Sequence, residues 1–328
     1  MTTDRPFARP SHPDRLDLSA VALGGGHGLA ASLSALRHVV RDLTAVVTVA
    51  DNGGSSGRLR HEFGALPPGD LRMALAALCG DDEWGQTWAR VLQHRFRSEG
   101  EMHDHAVGNL LIVALWELLG GHVEGLDWVA RLLGAQGRVL PMAITPIDIA
   151  ADVAGLDPDD PTALVRVRGQ VEVATTEGQV SSVELEPHDP PACPEAVAAV
   201  DEADWVVLGP GSWFTSVIPH LLVPDLRTAL TETSARVAVT MNLEPQTGET
   251  DGFTPEQHLE VLAAHAPGLR VDVVLADPRS VDEEAGLRDA AKELGAELVL
   301  ADVGADDGSP RHDPVKLADA YAGFMKQA

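Results

Sequence analysis

Three short stretches rich in glycine and hydroxyl residues, each just behind an aliphatic run, carry the most chemistry in this chain. The first is Gly24-Gly25-Gly26-His27-Gly28, and from Gly26 it reads G-x-G-x-x-A through Ala31. Glycines at such spacing let backbone amides approach a phosphate, and a helix N-terminus behind them adds partial positive charge. Asp51 follows 25 residues after Gly26, where a ribose-binding acid would sit. The second stretch, Asp51-Asn52-Gly53-Gly54-Ser55-Ser56-Gly57-Arg58-Leu59-Arg60, adds two hydroxyls and two forked guanidinium donors suited to phosphate oxygens. The third, Gly209-Pro210-Gly211-Ser212-Trp213-Phe214-Thr215-Ser216, again places small residues ahead of hydroxyls. Together they predict a ligand with several phosphates.

Other candidates stand near these turns. Pro67-Pro68-Gly69-Asp70-Leu71-Arg72 puts Asp70 where it could cap a helix. With Asp51 it could instead hold Mg²⁺, which favours carboxylates completed by substrate phosphates. His103-Asp104-His105 has no third metal ligand nearby, so His105 reads as a hydrogen-bonding group beside Gly108-Asn109. The polar loop from Asn242 through Gln246 to Gly252 suits a base or sugar, and equally suits a capped surface loop. No nucleophilic triad is visible, and no serine occupies a G-x-S-x-G elbow.

These turns need a scaffold that brings them to one edge. Ser19–Leu23, Leu43–Ala50, Arg138–Ile144, Trp205–Leu208, Arg236–Met241, Val271–Ala276 and Glu297–Leu300 read as strands. Helical spacing is expected over Leu29–Val40, 255–265, 283–293 and 313–325, with a helical insertion over about 57–135 whose run Asn109–Leu119 reads as a buried helix. Alternating segments at 147–187, including Val165–Arg168 and Val171–Ala174, predict a small antiparallel β insert, with Leu156–Pro161 as a hairpin turn. The fold class is therefore α/β, a doubly wound, mostly parallel sheet. Residues 1–15, with three prolines and no periodicity, read as a mobile tail ahead of one domain over 16–328.

Composition excludes several classes. The formal charge of −26 argues against nucleic-acid binding, and no apolar run reaches the ~20 residues of a membrane span. Two cysteines, Cys79 and Cys193, are too few for a secreted disulfide framework, so a cytoplasmic location is expected. Of the 24 basic residues only Lys292, Lys316 and Lys326 are lysines. An anionic ligand must be held by arginine, backbone amides or a metal.

Gly24–Gly28, Ala50–Arg60, Pro67–Arg72, His105–Leu111, Leu208–Pro219 and Gly248–Phe253, in that order, resemble the signatures of the YvcK-like gluconeogenesis factors. Those belong to the superfamily of 2-phospho-lactate transferase (CofD-like). The resemblance implies a Rossmann-like fold and a role in cell-wall synthesis and cell shape during gluconeogenic growth. It implies binding of a nucleotide sugar such as UDP-N-acetylglucosamine, a protein partner that receives the signal, and a homodimer. The transferase branch instead moves a phospholactyl-type group from a nucleoside diphosphate carrier with Mg²⁺. Three positions depart from the pattern: Asn52 replaces an aspartate, Met73 an asparagine and His27 a threonine.

On this reading the diphosphate lies across Gly24, Gly25, Gly26, His27 and Gly28, across Asn52, Gly53, Gly54, Ser55, Ser56, Gly57 and Arg58, and across Gly209, Gly211 and Ser212, with Thr215 alongside. Arg72 adds charge, Asn109 holds the nucleotide or ribose, and Asn242 and Gln246 face the base or sugar. Asp51 and Asp70 are the metal candidates. NAD is not expected, because no acid–base pair for hydride transfer accompanies the glycines.

Overall fold

The computed structural model describes residues 15–246 and 248–326. The tail expected over 1–15 lies outside these residues except for Arg15. β1 (Leu16–Gly24) and β2 (Val40–Val47) flank α1 (Gly26–Val39), and the strands run parallel in register from Ser19 opposite Asp42 to Gly24 opposite Val47. Their inner residues are buried on both faces, which is why they read as unbroken apolar runs rather than alternating ones.

Five helices follow: α2 (Gly54–Phe63), α3 (Gly69–Ala77), α4 (Glu83–Gln93), α5 (Val107–Leu119) and α6 (His122–Leu133). β3 (Arg138–Pro141) then returns to the sheet beside β2. α5 is buried along one face only, through Asn109, Ile112, Val113 and Trp116, while Leu118 is 77% exposed. A near-continuous apolar run hides the difference between a helix that is covered all round and one covered on a single stripe.

The β insert comprises β4 (Asp148–Ala154), β5 (Val165–Arg168), α7 (Gln170–Ala174) and β6 (Gln179–Glu186), with β4 pairing antiparallel to both other strands. Val171–Ala174, expected as a strand, is the helical turn α7. Its backbone turns at Gly169, φ 108°, so the alternating pattern never pairs with a neighbour.

The second half holds α8 (Pro194–Asp201), β7 (Trp205–Leu208), a π-helical turn (Trp213–Val217), α9 (Pro219–Leu222), α10 (Pro224–Glu232), β8 (Arg236–Thr240), α11 (Pro255–His265), β9 (Val273–Ala276), α12 (Glu284–Glu293), β10 (Glu297–Leu300) and α13 (Pro314–Met325). Prolines in the first turns of α8 and α10 mark their starts, because their fixed φ suits the first helical position and needs no amide donor there. The seven parallel strands take the order β10-β9-β8-β7-β1-β2-β3. The chain winds outward through β2 and β3 and, in its second half, outward the other way from β7. The switch point therefore falls between β1 and β7, where open α/β sheets bind ligands beyond the carboxyl ends of their strands.

The core beneath that edge is built on Trp205, Trp213, Phe214 and Tyr321, all fully buried. No helix among the described residues is long and apolar enough to cross a membrane.

Candidate functional site

At the switch point the first and third turns touch. A Cβ on Gly28 would lie 2.2 Å from the carbonyl oxygen of Pro210 and 2.6 Å from the Cα of Gly211, so only glycine allows α1 to start this close to β7. Gly25 is equally confined: an added Cβ would lie 2.6 Å from Asp70 Oδ2 and 3.2 Å from Ser216 Oγ. Thr48, just past β2, donates from its hydroxyl to the Ser216 carbonyl at 2.8 Å and fastens the second strand to the third turn.

Three helices begin here without a side-chain cap: α1 at Gly26, α2 at Gly54 and α3 at Gly69. The amides of His27 and Gly28 and those of Gly54, Ser55 and Ser56 have no hydrogen-bond partner among the described residues. Unpaired donors at a helix start, reinforced by the macrodipole, attract anions. His27 is exposed at the mouth.

Between these helix starts sit two carboxylates. Asp51 Oδ1 accepts the Gly53 amide at 2.9 Å and shapes the entry to α2, while a Cβ on Gly69 would lie 2.9 Å from its Oδ2. Asp70 is the second residue of α3 rather than its cap, and its carboxyl lies against the first glycine turn instead, where the nearby Gly26 amide favours its charged form. Burial, and then the negative charge of Asp51, push the Asp70 carboxyl up to about 7. Both oxygens thus face a region where a cation or a proton would relieve their repulsion.

Several residues expected to touch ligand are engaged within the protein. Arg58 donates to the carbonyls of Glu101 at 2.9 Å and His103 at 2.7 Å. Arg72, 4% exposed, donates to Asn109 Oδ1 at 2.9 Å and to the Gln93 side-chain oxygen. Asn109 in turn donates to Ser55 Oγ at 3.1 Å, and His105 Nδ1 lies 3.1 Å from the same hydroxyl. His105 therefore does sit beside Asn109, as part of a buried network that holds the second glycine turn from behind.

Asn52 takes part in another bridge. Its Nδ2 donates to Glu172 at 2.8 Å and its Oδ1 accepts the Val171 amide at 3.1 Å, so it ties the second turn to α7. Gly53 and Gly57 serve close approach as well, facing Val171 at 2.8 Å and the Asn52 carbonyl at 2.0 Å from an added Cβ. Arg60 pairs with Asp148 at 2.8 Å.

The third turn differs most from expectation. Glu249, 3% exposed, lies against it and accepts the Phe214 amide at 3.0 Å and the Thr215 hydroxyl, with the Ser212 hydroxyl also directed to it. Burial raises its pKa despite these donors. A carboxylate of the chain itself thus holds the donors of Ser212, Phe214 and Thr215. Asn242 clamps both ends of residue 211, accepting the Gly211 amide and donating to the Gly211 carbonyl, each at 2.9 Å. Gly209 has φ 75° and Gly211 φ 141°, which favour glycine on conformational grounds alone. Gln246 carries a buried side-chain oxygen with no hydrogen-bond partner among the described residues. Glu249 lay inside the Gly248–Phe253 stretch, but its partner is 35 positions away and no local signal marks it.

The sequence profile of the family described as 2-phospho-L-lactate transferase CofD matches residues 20–311. A gluconeogenesis factor of Listeria monocytogenes is 34% identical over 316 residues, spanning 93% of this chain and 95% of that protein. A protein of Mycobacterium tuberculosis provisionally described as a gluconeogenesis factor is 55% identical over 306 residues, spanning 92% of this chain and 89% of its own. The crystal structure of a UPF0052-family protein from Bacillus halodurans aligns with a TM-score of 0.82 at 31% identity, covering 93% of this chain and 98% of that one. With glycine turns meeting at the switch point of a parallel sheet and a match that runs nearly its full length, this chain belongs to the CofD family, in its YvcK-like gluconeogenesis-factor branch.

Proposed function

We propose that this gluconeogenesis factor binds a nucleotide sugar, of which UDP-N-acetylglucosamine is the type, and acts as a cytoplasmic regulator of cell-wall synthesis and cell shape on gluconeogenic carbon sources. One observation carries the reading: the free amides at the starts of α1 and α2 converge at the switch point. They offer a diphosphate several backbone donors at once, each backed by a helix start. The phosphates lie on those two helix starts, and the third turn, already neutralised by Glu249, walls the site. Ligand binding favours one conformation that a cell-wall partner recognises.

Calorimetric titration with UDP-N-acetylglucosamine, with and without Mg²⁺, followed by mass spectrometry of the recovered ligand, tests this. Saturable binding with intact ligand is expected; absence of binding removes the nucleotide sugar from the reading.

The Asp51–Asp70 pair favours a second reading, a transferase acting on a nucleotide-diphospho-linked substrate. Asp70 with a pKa near 7 can hold or release a proton at neutral pH. The two carboxylates suit Mg²⁺ completed by ligand phosphates, and the ion would neutralise phosphate charge there. Release of nucleoside monophosphate during the same titration would establish this alternative.

A further inference from the structure

Beside the second glycine turn lies an open pocket of about 390 Å³, within the ~300–1,000 Å³ of small-molecule sites. Asn52, Gly57, Arg60, His61 and Asp148 line it. Gly57, Arg60 and His61 are three and four residues apart and so share one flank of α2. Asn52 stands just before that helix, and Asp148 opens β4. The pocket therefore begins at a helix start with unpaired amides and follows the helix to the β insert. A Cβ on Gly57 would lie 2.0 Å from the Asn52 carbonyl, so the flank is bare at that point. Arg60 is six residues beyond Gly54, about 9 Å along the axis, and helical side chains lean back toward the N-terminus. Its guanidinium is thus within reach of whatever group follows a phosphate seated at that start.

The polar groups here are few and well defined. Arg60 pairs with Asp148 Oδ1 at 2.8 Å, while Arg60 Nη1 is buried and has no hydrogen-bond partner among the described residues. Buried donors are seldom left so, because an unmade hydrogen bond costs stability until something accepts it. The second oxygen of Asp148 accepts no hydrogen bond among the described residues either. The Asn52 side chain, already engaged by Val171 and Glu172, serves as a wall, and His61 stands exposed at the rim. Cation and carboxylate cancel, so nothing in this pair favours an anion. What remains is an open donor beside an open acceptor. Hydroxyls both donate and accept, so a ring with neighbouring hydroxyls matches the pair. A carboxylate only accepts, and it would face the like charge of Asp148.

We propose that this pocket is the sugar subsite of the nucleotide-sugar site and selects a neutral, hydroxyl-bearing ring over a sugar acid. Arg60 Nη1 donates to one hydroxyl and Asp148 accepts from its neighbour. The assignment rests on the nucleotide-sugar reading and adds to it the residues that tell the ligand from UDP alone.

UDP, UDP-N-acetylglucosamine and UDP-glucuronate are titrated calorimetrically into the full chain, as wild type, Arg60→Met and Asp148→Asn, with melting temperatures to confirm folding. The readout is each sugar nucleotide's affinity relative to UDP, a ratio that a loss on the phosphates alone does not move. Wild type should favour UDP-N-acetylglucosamine over UDP by roughly tenfold or more and gain nothing from glucuronate. Arg60→Met should bring the first ratio close to one. Asp148→Asn keeps the shape but leaves Arg60 without its counter-charge, so UDP-glucuronate should gain roughly tenfold relative to UDP. UDP that binds as well as UDP-N-acetylglucosamine overturns the subsite and leaves a nucleotide site standing. So does a sugar preference that survives Arg60→Met, or a glucuronate ratio indifferent to Asp148→Asn. If neither UDP nor a UDP-sugar binds, the nucleotide-sugar reading falls and the subsite with it. Should Arg60→Met fail to fold, the wild-type ratios and Asp148→Asn still decide.

Discussion

At the residue scale, Asp70 and Glu249 are carboxyls that the fold holds against their natural tendency to ionise in water. Asp70 is pushed up to about 7 by burial and by Asp51, so the folded protein binds a proton that the unfolded chain has already released above the ordinary aspartate range. Its contribution to stability is therefore greatest at low pH and is lost as pH rises through about 7. Asp70→Asn should flatten that loss, so its melting temperature relative to wild type should be higher at pH 8 than at pH 5; equal differences at both pH values would contradict the assignment. The same ionisation repels phosphate, so Mg²⁺-free nucleotide affinity should fall across pH 7 in wild type and stay level in the variant. Glu249 is also raised by burial, but against the donors of the third turn, which favour its charged form. Glu249→Ala should cost about 1.5–3 kcal/mol in urea unfolding, the range for hydrogen bonds to a charged group. Glu249→Gln, which keeps one carbonyl acceptor, should cost less.

At the element scale, the short helix α7 closes the second glycine turn through Asn52, and this explains the departure at that position. An asparagine both accepts from Val171 and donates to Glu172, whereas an aspartate would set two carboxylates side by side. Asn52→Asp should therefore loosen α7, seen as faster amide exchange over residues 169–175. Adding Glu172→Gln should restore protection, since the donor and acceptor are then simply exchanged. If the single substitution leaves exchange unchanged, the bridge does not hold α7 down. α1 and the third turn depend on a different device, the backbone contact at Gly28, which no side chain can replace.

At the scale of the whole molecule, helix α13, far along the chain from the first glycine turn, packs beneath the site. Tyr321 lies fully buried with its hydroxyl 2.9 Å from both Ser32 Oγ and Thr240 Oγ1, and Ser32 donates onward to the Gly209 carbonyl at 3.0 Å. α1, β8 and the third turn thus share one buried hydroxyl cluster. Tyr321→Phe leaves the packing intact but orphans Thr240, and should cost about 1–3 kcal/mol in global unfolding. A cost below about 0.5 kcal/mol would mean that the cluster re-pairs on its own.

What the sequence by itself determined follows from short-range chemistry. Aliphatic runs buried on two faces placed the parallel strands, and glycines behind them marked the three turns to within a residue or two. Topology then brought those turns to one edge, because alternating strands and helices leave few ways to wind a sheet. Local pattern misled where alternation was not paired, as at Val171–Ala174, and where an apolar run was covered on one side only, as at α5. Which polar groups remain available to a ligand was decided by tertiary structure alone. Arg58, Arg72, Asn109, Asn242 and Thr215 carry donors and acceptors that suit a nucleotide, but each has a partner brought near by the fold. A hydrogen-bonding side chain reads the same in sequence whether it faces a ligand or a buried carbonyl, and the difference is set by groups tens or hundreds of residues away.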